Sequence, residues 1–562
     1  MTFLSVTVIY RYHRSKLTPL RRTISMASSN CVPVDRIAMR TRFRSLSAIF
    51  AMALLSASLG SMADALPTSL DTQFGSGTGI VVTSFTSATD VGRGNLGVAL
   101  AVQPDGKLLL ASDCRTGGLA SFCAIRYTTT GALDTTFSGD GKVITAISAD
   151  DDFARAIALQ PDGKIILAGH CGTAGNYAFC AARYLPGGAL DTSFGSGGKL
   201  VMRMLTTGTA NAIAIQPDGK IVLGGICSAG IYSPHAFFCA VRFLPTGALD
   251  PDFGFLSKIY DDSQLGIAYF DNDVGYQFAM TLQSDGKILL GAACTDPTDA
   301  YFPTPSYCVF RHGANGVLDP GFGVAGKALI SGIFGTARSL AAQLDGKIIL
   351  SGRCTPVGQA TIYGFCTVRI NNGFLDARFG SNGKVLAKGS PGSPSSWGAR
   401  AMALQQDGKI VLAGFCYDSQ TGHFKFCSIR YNTDGKPDNS FGSLGAAITP
   451  INVRDEGATA VALQPDGKIV LAGICDNASN RNDFCALRYE GGPFGYKNCS
   501  LDVDGDGLVL PTTDSLITAR VARGMTGDAV LNGITLPVGA TRRNWNQIRN
   551  YLVTQCGMSL VQ

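Results

Sequence analysis

At 562 residues, with 16% charged side chains and 69 glycines, the chain suits short strands and tight turns and argues against an architecture of long helices. The formal charge of +6 lies in residues 1–65, where nine Lys and Arg face only Asp35 and Asp64; that net of +7 leaves the remainder near −1. A mature chain of that balance has no global electrostatic attraction to nucleic acid or anionic lipid.

From the N-terminus, the first readable element is an export signal. Met39 is the expected true start, followed by Arg40, Arg42 and Arg44, an apolar run from Leu46 to Leu59, and Ala63-Asp64-Ala65. A basic region, a hydrophobic region and an A-x-A site in that order predict cleavage after Ala65. No later stretch reaches the roughly 18 unbroken apolar residues of a membrane span. Of 17 cysteines, Cys31 falls in this leader, and the even remainder fits pairing in an oxidising compartment: secreted, periplasmic or at the cell surface. The expected division is a leader at 1–65, a repeat domain at 66–490, a linker at 491–498 and an appendage at 499–562.

The repeat is marked by Gln-x-Asp-Gly-Lys, with its Asp at 105, 162, 218, 285, 345, 407 and 466, a period near sixty. One copy runs Ala154 to Gln160, turns at Pro161-Asp162-Gly163, continues Lys164 to Cys171, and resumes at Phe179-Cys180-Ala181-Ala182-Arg183-Tyr184. It then passes Leu190-Asp191-Thr192-Ser193-Phe194-Gly195 and ends near Gly198 to Met202. These are four short strands separated by turn residues at fixed offsets. Four antiparallel strands make a blade, and blades that cannot cover their own faces stack radially. The fold class expected is therefore all-β, a seven-bladed β-propeller of four-stranded antiparallel blades, with a small α-helical calcium-loop domain at its C-terminus.

A permutation supports ring closure. The first Leu70-Asp71-Thr72-Gln73-Phe74-Gly75 element precedes any full repeat, while the seventh repeat stops after Arg488-Tyr489. The strand near Gly79–Thr83 is thus expected to complete the last blade. The seven motif copies resemble the delta-60 repeat of bacterial surface and secreted proteins, over about residues 66–490. That resemblance implies a propeller-like fold and little about function.

Each repeat holds two cysteines: Cys114 and Cys123, Cys171 and Cys180, Cys227 and Cys239, Cys294 and Cys308, Cys354 and Cys366, Cys416 and Cys427, and Cys475 and Cys485. One ends the second strand and one lies in the third, so they face across a hairpin. As direct cross-strand neighbours they predict a disulfide per blade. Zinc would need closely spaced pairs combining into four ligands, whereas these pairs lie a blade apart. The loop-entropy treatment gives about 2.5–3 kcal/mol per bridge.

The Asp of Asp-Gly-Lys reads as a turn residue accepting local backbone hydrogen bonds. The seven arginines Arg126, Arg183, Arg242, Arg311, Arg369, Arg430 and Arg488 read as contacts within or between blades. Catalytic candidates are few: two glutamates, Glu456 and Glu490, and His170, His235, His312 and His423 in four different repeats. No catalytic residue is assigned.

The C-terminal segment carries a sharper signal. Asp502, Asp504 and Asp506 occupy positions 1, 3 and 5 of a loop with Gly507 at 6, and the Leu508 carbonyl stands at position 7. Hard oxygen donors in this order predict one calcium ion. Thr513 stands where the twelfth-position acid is expected, and Asp514 follows it. The segment resembles half of a dockerin, in which such a loop precedes a helix, here Ser515–Met525. Trp545, Ile548, Tyr551 and Leu552 mark the core face of a second helix, and a bridge between Cys499 and Cys556 would tie it to the loop.

Together these readings describe an exported, monomeric binding or scaffold protein that presents propeller loops to an extracellular protein or glycan. The long stretches Lys258–Gln277 and Thr295–Ser306 are the expected recognition loops. The alternatives are a secreted polysaccharide hydrolase or lyase, and a purely structural surface component.

Overall fold

The computed structural model describes residues 67–85, 97–116, 118–204, 207–228, 236–254, 258–261, 278–295, 305–355, 364–388, 398–476, 482–491 and 502–554, the last without positions 507, 508, 511 and 524. The leader and its cleavage site, Cys499, Cys556, Leu508 and most of both expected recognition loops lie outside the described residues.

Each blade is built in chain order. In blade two, Asp152–Leu159, Ile165–Cys171, Ala178–Tyr184 and Lys199–Met202 pair antiparallel, each with the next. The second strand is buried throughout, because it serves two interfaces at once. Ile165 and Leu167 join the core shared with blade one, while Ile166 and Ala168 join the core shared with blade three. Alternation along a strand thus explains why a continuous apolar run appears where a one-faced sheet would alternate with polar residues.

Seven such blades form the ring: 99–145, 152–202, 207–261, 279–334, 334–388, 398–449, and 456–489 with an N-terminal strand. That strand, Ile80–Thr83, pairs antiparallel with Asn482–Tyr489, placing Ile80 opposite Leu487 and Thr83 opposite Phe484. Phe74, Val81 and Phe85 pack in one core with Leu108 and Ile125 of blade one and Phe484 of blade seven. The closure expected from the permuted motifs is therefore present.

One departure concerns blades four and five. A single 16-residue strand, Lys327–Ala342, pairs with Pro305–His312 in its first part and with Ile348–Thr355 in its second, the change falling at Phe334. The two blades are thereby one eight-stranded sheet. Here the inter-blade connection is so short that the outer strand of one blade runs directly into the inner strand of the next.

The disulfides join the seven expected pairs: Cys114 with Cys123, Cys171 with Cys180, Cys227 with Cys239, Cys294 with Cys308, Cys354 with Cys366, Cys416 with Cys427, and Cys475 with Cys485. Their Cα separations are 5.7–6.0 Å. The expected placement as direct neighbours needs correcting, because every bridge is diagonal. Cys123 stands opposite Ser112, Cys180 opposite Gly169, and Cys239 opposite Gly225. Cys308 stands opposite Ala292, Cys366 opposite Gly352, Cys427 opposite Gly414, and Cys485 opposite Gly473. In each case the cysteine partner is two residues further along the second strand. The right-handed twist of paired strands draws one diagonal together, which brings these cysteines within bridging range.

Gly169 is required at its position for another reason. A Cβ there would lie 1.8 Å from the Phe153 carbonyl oxygen, where the inner strand bulges against it.

The C-terminal segment has its own small core. Helix α1, Asp514–Ala522, and helix α2, Trp545–Thr554, enclose Val503, Ile517, Val521 and Val530 with Trp545, Ile548, Tyr551 and Leu552. The expected aromatic face is core, and α1 ends three residues before the anticipated Met525.

Candidate functional site

The seven repeated arginines are held in the same arrangement. Arg126 Nε donates to Asp134 Oδ2 at 2.8 Å, its guanidinium lies 4.7 Å from the Phe137 ring centroid, and Nη1 donates to the Pro186 carbonyl of blade two. Arg183, Arg242, Arg311, Arg369 and Arg430 repeat the aspartate and phenylalanine contacts. Arg488 finds both at the other end of the chain, pairing with Asp71 at 2.8 Å, stacking on Phe74 and donating to the Thr129 carbonyl of blade one. The motif lysines join in, Lys107 reaching Asp134 at 3.2 Å and Lys468 reaching Asp71 at 3.0 Å. Burial pulls the Asp134 carboxyl upward, but Thr136, Lys107 and Arg126 outweigh it and hold the group down at about 2. Asp438 is held at about 2 in the same way by Ser440, Arg430 and Lys409.

The Asp of each Asp-Gly-Lys accepts the amide of the Lys two residues on, in all seven copies. These carboxylates are turn caps. Glu456 accepts the amides of Ile451 and Asn452 and pairs with Lys425, and Glu490 pairs with Lys468. The histidines do not converge. His170 is buried against Phe153 and Tyr177, and burial, aided by Arg155, keeps it neutral; His423 is exposed beside Asp455; His235 lies outside the described residues.

What varies is the lining of the central channel, a cavity of about 380 Å³ walled by the inner strand of every blade. Five residues before each motif Gln stand Val98, Arg155, Asn211, Phe278, Arg338, Arg400 and Thr459. In five blades this is the bulged residue of the inner strand, a geometry that re-aims a side chain. At the mouth over blades five to seven, a second cavity of about 380 Å³ is lined by Arg338, Arg353 and Arg400 together with Asp455, Glu456, Asp476 and Asn482. Phe415 and Phe424 also line it. This ring was not among the expected recognition residues, which lay in long loops. The signal was present in the repeat alignment, as a position that changes chemistry between otherwise matching copies.

The calcium-loop carboxylates do come together. Asp502, Asp504, Asp506 and Asp514 each bring an oxygen within 4.8 Å of the others. Asp514, at the start of α1, also accepts the amides of Val503, Asp504 and Leu510, so it closes the loop onto the helix. Asp504 is fully buried, and its Oδ2 has no hydrogen-bond partner among the described residues. Burial first, then Asp514 and Asp506, push its carboxyl up. An orphaned, buried carboxylate oxygen among three further acids fits a hard cation. Arg542 holds the loop from behind, donating to the Val503 and Asp502 carbonyls, with its Nη2 4.0 Å from Asp502 Oδ1.

Five segments, 103–137, 160–194, 216–253, 405–441 and 464–491, match the family described as "Domain of unknown function (DUF5122) beta-propeller". Five of the seven repeats are thus similar to those of a β-propeller repeat family. No curated protein matches the chain. Among solved structures, the polysaccharide lyase Uly1 is similar at 12% identity and a TM-score of 0.40, over 73% of this chain and 98% of that one. A protein of unknown function from Dyadobacter fermentans DSM 18053 is 12% identical at a TM-score of 0.39, over 73% and 97%. The β-propeller domain of the Trilobed protease from Pyrococcus furiosus is 9% identical at 0.35, over 70% and 96%. With TM-scores below 0.5 these likenesses carry no argument; the fold rests on the strand pairing. Among the described residues no helix is long and apolar enough to cross a membrane. Seven disulfides point to a non-cytoplasmic protein.

Proposed function

We propose that the mature chain is an exported binding or scaffold protein whose propeller presents a ligand cleft, with a C-terminal module stabilised by one calcium ion. The observation that carries this reading is the division of its charges. Arginines, lysines and aspartates that repeat in every blade are engaged in internal pairs and turns, whereas the mouth cleft is lined by side chains peculiar to blades five to seven. Calcium would be held by Asp502, Asp504, Asp506 and Asp514 with the Leu508 carbonyl, and would neutralise four carboxylates gathered at one point. An extracellular protein or glycan is the partner expected. A binding array with the purified mature chain tests this: selective capture of one ligand class supports it, and turnover of a polysaccharide in a parallel screen would replace it with the enzymatic reading.

That second reading has one observation in its favour. Asp455 and Asp476 share the cleft, and burial together with Asp455 raises the Asp476 carboxyl. Two carboxyl groups sharing a cleft, in environments that shift them apart, are what glycoside-cleaving sites use.

A further inference from the structure

One run of side-chain contacts spans three blades on the mouth side of the ring. Asp113 of blade one pairs with Arg155 on the inner strand of blade two at 2.8 Å, and both groups are almost wholly buried. The Arg155 guanidinium lies 5.1 Å from the centre of the Phe153 ring. His170, which the strand register places opposite Phe153, lies 5.0 Å from that ring and 4.8 Å from the Tyr177 ring, the second contact being T-shaped. Tyr177 carries the run onward through its backbone. Its amide donates to Thr207 Oγ1 at 3.1 Å, and its carbonyl accepts the Gly208 amide at 2.8 Å, both in the inner strand of blade three.

His170 is the member of this run whose charge can change near neutral pH. It stands immediately before the first cysteine of its blade, a position held elsewhere by Asp113, Ile226, Ala293, Arg353, Phe415 and Ile474. The residue is only 7% exposed, and its Nδ1 is buried without a hydrogen-bond partner among the described residues. The charged groups around it are engaged elsewhere. Asp113 bonds Arg155, Asp151 accepts the Ala120 amide, and Asp152 accepts those of Ile147 and Ser148. Arg203, on the connection to blade three, donates to Asn176 beside Tyr177. A proton on His170 would therefore set a second buried cation near Arg155 while each of these carboxylates is already committed. The Phe153 ring is no remedy, because the Arg155 guanidinium already draws on it. Burial first, then Arg155, hold the imidazole well below its ordinary value of about 6.5.

Above about pH 6.5 the ring is neutral whether it is enclosed or released, so enclosure carries no charge penalty. Below that value a released His170 takes up a proton that the enclosed one refuses, and the enclosed state loses ground as pH falls. The part free to move is small. The Cys171–Cys180 bridge holds the base of this hairpin, which leaves the turn through Tyr177 and its two hydrogen bonds to blade three. We propose that His170 is an acid-operated latch: a proton on its ring drives it out from between Phe153 and Tyr177, parts Tyr177 from Thr207 and Gly208, and opens the seam between blades two and three. Arg155 and Asn211 line the channel on either side of that seam, so its opening alters the channel wall far from the cleft over blades five to seven. The latch goes beyond the binding reading and does not depend on it.

The test is amide hydrogen exchange of the full mature chain, read by peptide mass and corrected for the intrinsic rate. A group that titrates near 6.5 only when released should cost peptides covering 172–178 and 207–215 about thirtyfold in protection between about pH 7.5 and about pH 5.0. Peptides from Ile469–Asp476 of blade seven should keep theirs. His170→Phe keeps an aromatic ring between Phe153 and Tyr177 but cannot take the proton, and should hold the change in the two seam peptides to less than about threefold. If that variant does not fold, deuteration of the His170 ring carbon Cε1 in the unaltered chain, followed against pH, gives the midpoint directly, expected well below about 6.5. Unchanged protection of the seam at about pH 5.0, an equal loss in His170→Phe, or a ring midpoint at or above about 6.5 overturns the latch.

Discussion

At the rim of the ring, Arg126 and its six counterparts each meet one aspartate and one phenylalanine, and the pattern holds even where the partners come from opposite ends of the chain. Around the channel, the corresponding position runs from valine to arginine to asparagine to phenylalanine. The first set stands on the third strand of each blade and the second on the inner strand, each at a repeated position. Sites that must join every blade to the next are fixed by that shared task, while sites facing the channel are released from it. Position in the blade therefore separates what holds the ring together from what a ligand could read.

The rim offers the largest effect. Asp71→Asn would leave Arg488 without its carboxylate at the ring's closure and Lys468 with Glu490 alone, and should cost about 3–5 kcal/mol in denaturant unfolding; a loss below about 1 kcal/mol would mean that closure rests on strand pairing alone. Acid should act on the same set of groups. Asp134 and Asp438 have folded pKa values depressed to about 2, so their contribution is present above the ordinary carboxylate value near 4 and lost as pH falls from there toward about 2. Unfolding free energy followed across that window should decline, and less steeply in Asp134→Asn.

Next is the braced hairpin. Cys171→Ser with Cys180→Ser should lower stability by about 2.5–3 kcal/mol, and intact mass on reduction of the exported protein should rise by two hydrogens for each bridge. A natively exported chain whose mass does not change would remove the bridges from the account. In the C-terminal module, calcium at about a hundred times its dissociation constant should stabilise by about 2.7 kcal/mol. Calorimetry should lose the calcium signal in Asp504→Asn; an unchanged isotherm would leave the loop as a turn. The smallest effect belongs to the channel: Arg400→Gln should change stability by no more than about 0.5 kcal/mol, and a large loss would show that the inner ring, too, is scaffold.

Much of this was legible in the sequence because repetition averages out local ambiguity. Seven copies of Gln-x-Asp-Gly-Lys placed every inner hairpin, and the displaced Leu70-Asp71 element announced the closing strand. The cysteine pairs were legible in partner but not in offset, since a spacing of nine to fourteen residues does not say whether two side chains lie opposite or diagonal. The fused strand Lys327–Ala342 was not legible, because nothing in its residues marks where pairing with Pro305–His312 gives way to pairing with Ile348–Thr355. The mouth cleft was missed for a related reason. Arg353 and Arg400 lie 47 positions apart, and only the stacking of blade five on blade six brings their positions into one cavity.

The closing strand also governs when the molecule can finish folding. Asp71 and Arg488 are separated by 417 residues, so their pairing is among the longest-range contacts in the chain. Completing blade seven must wait for the last repeat to emerge, and the entropy of joining such distant segments slows that step further. Until it happens, Asn482–Tyr489 presents a bare sheet edge able to recruit strands from other chains. A product truncated before residue 482 would never close. A chain exported as proposed would have to cross extended, with both ends delivered before either is committed.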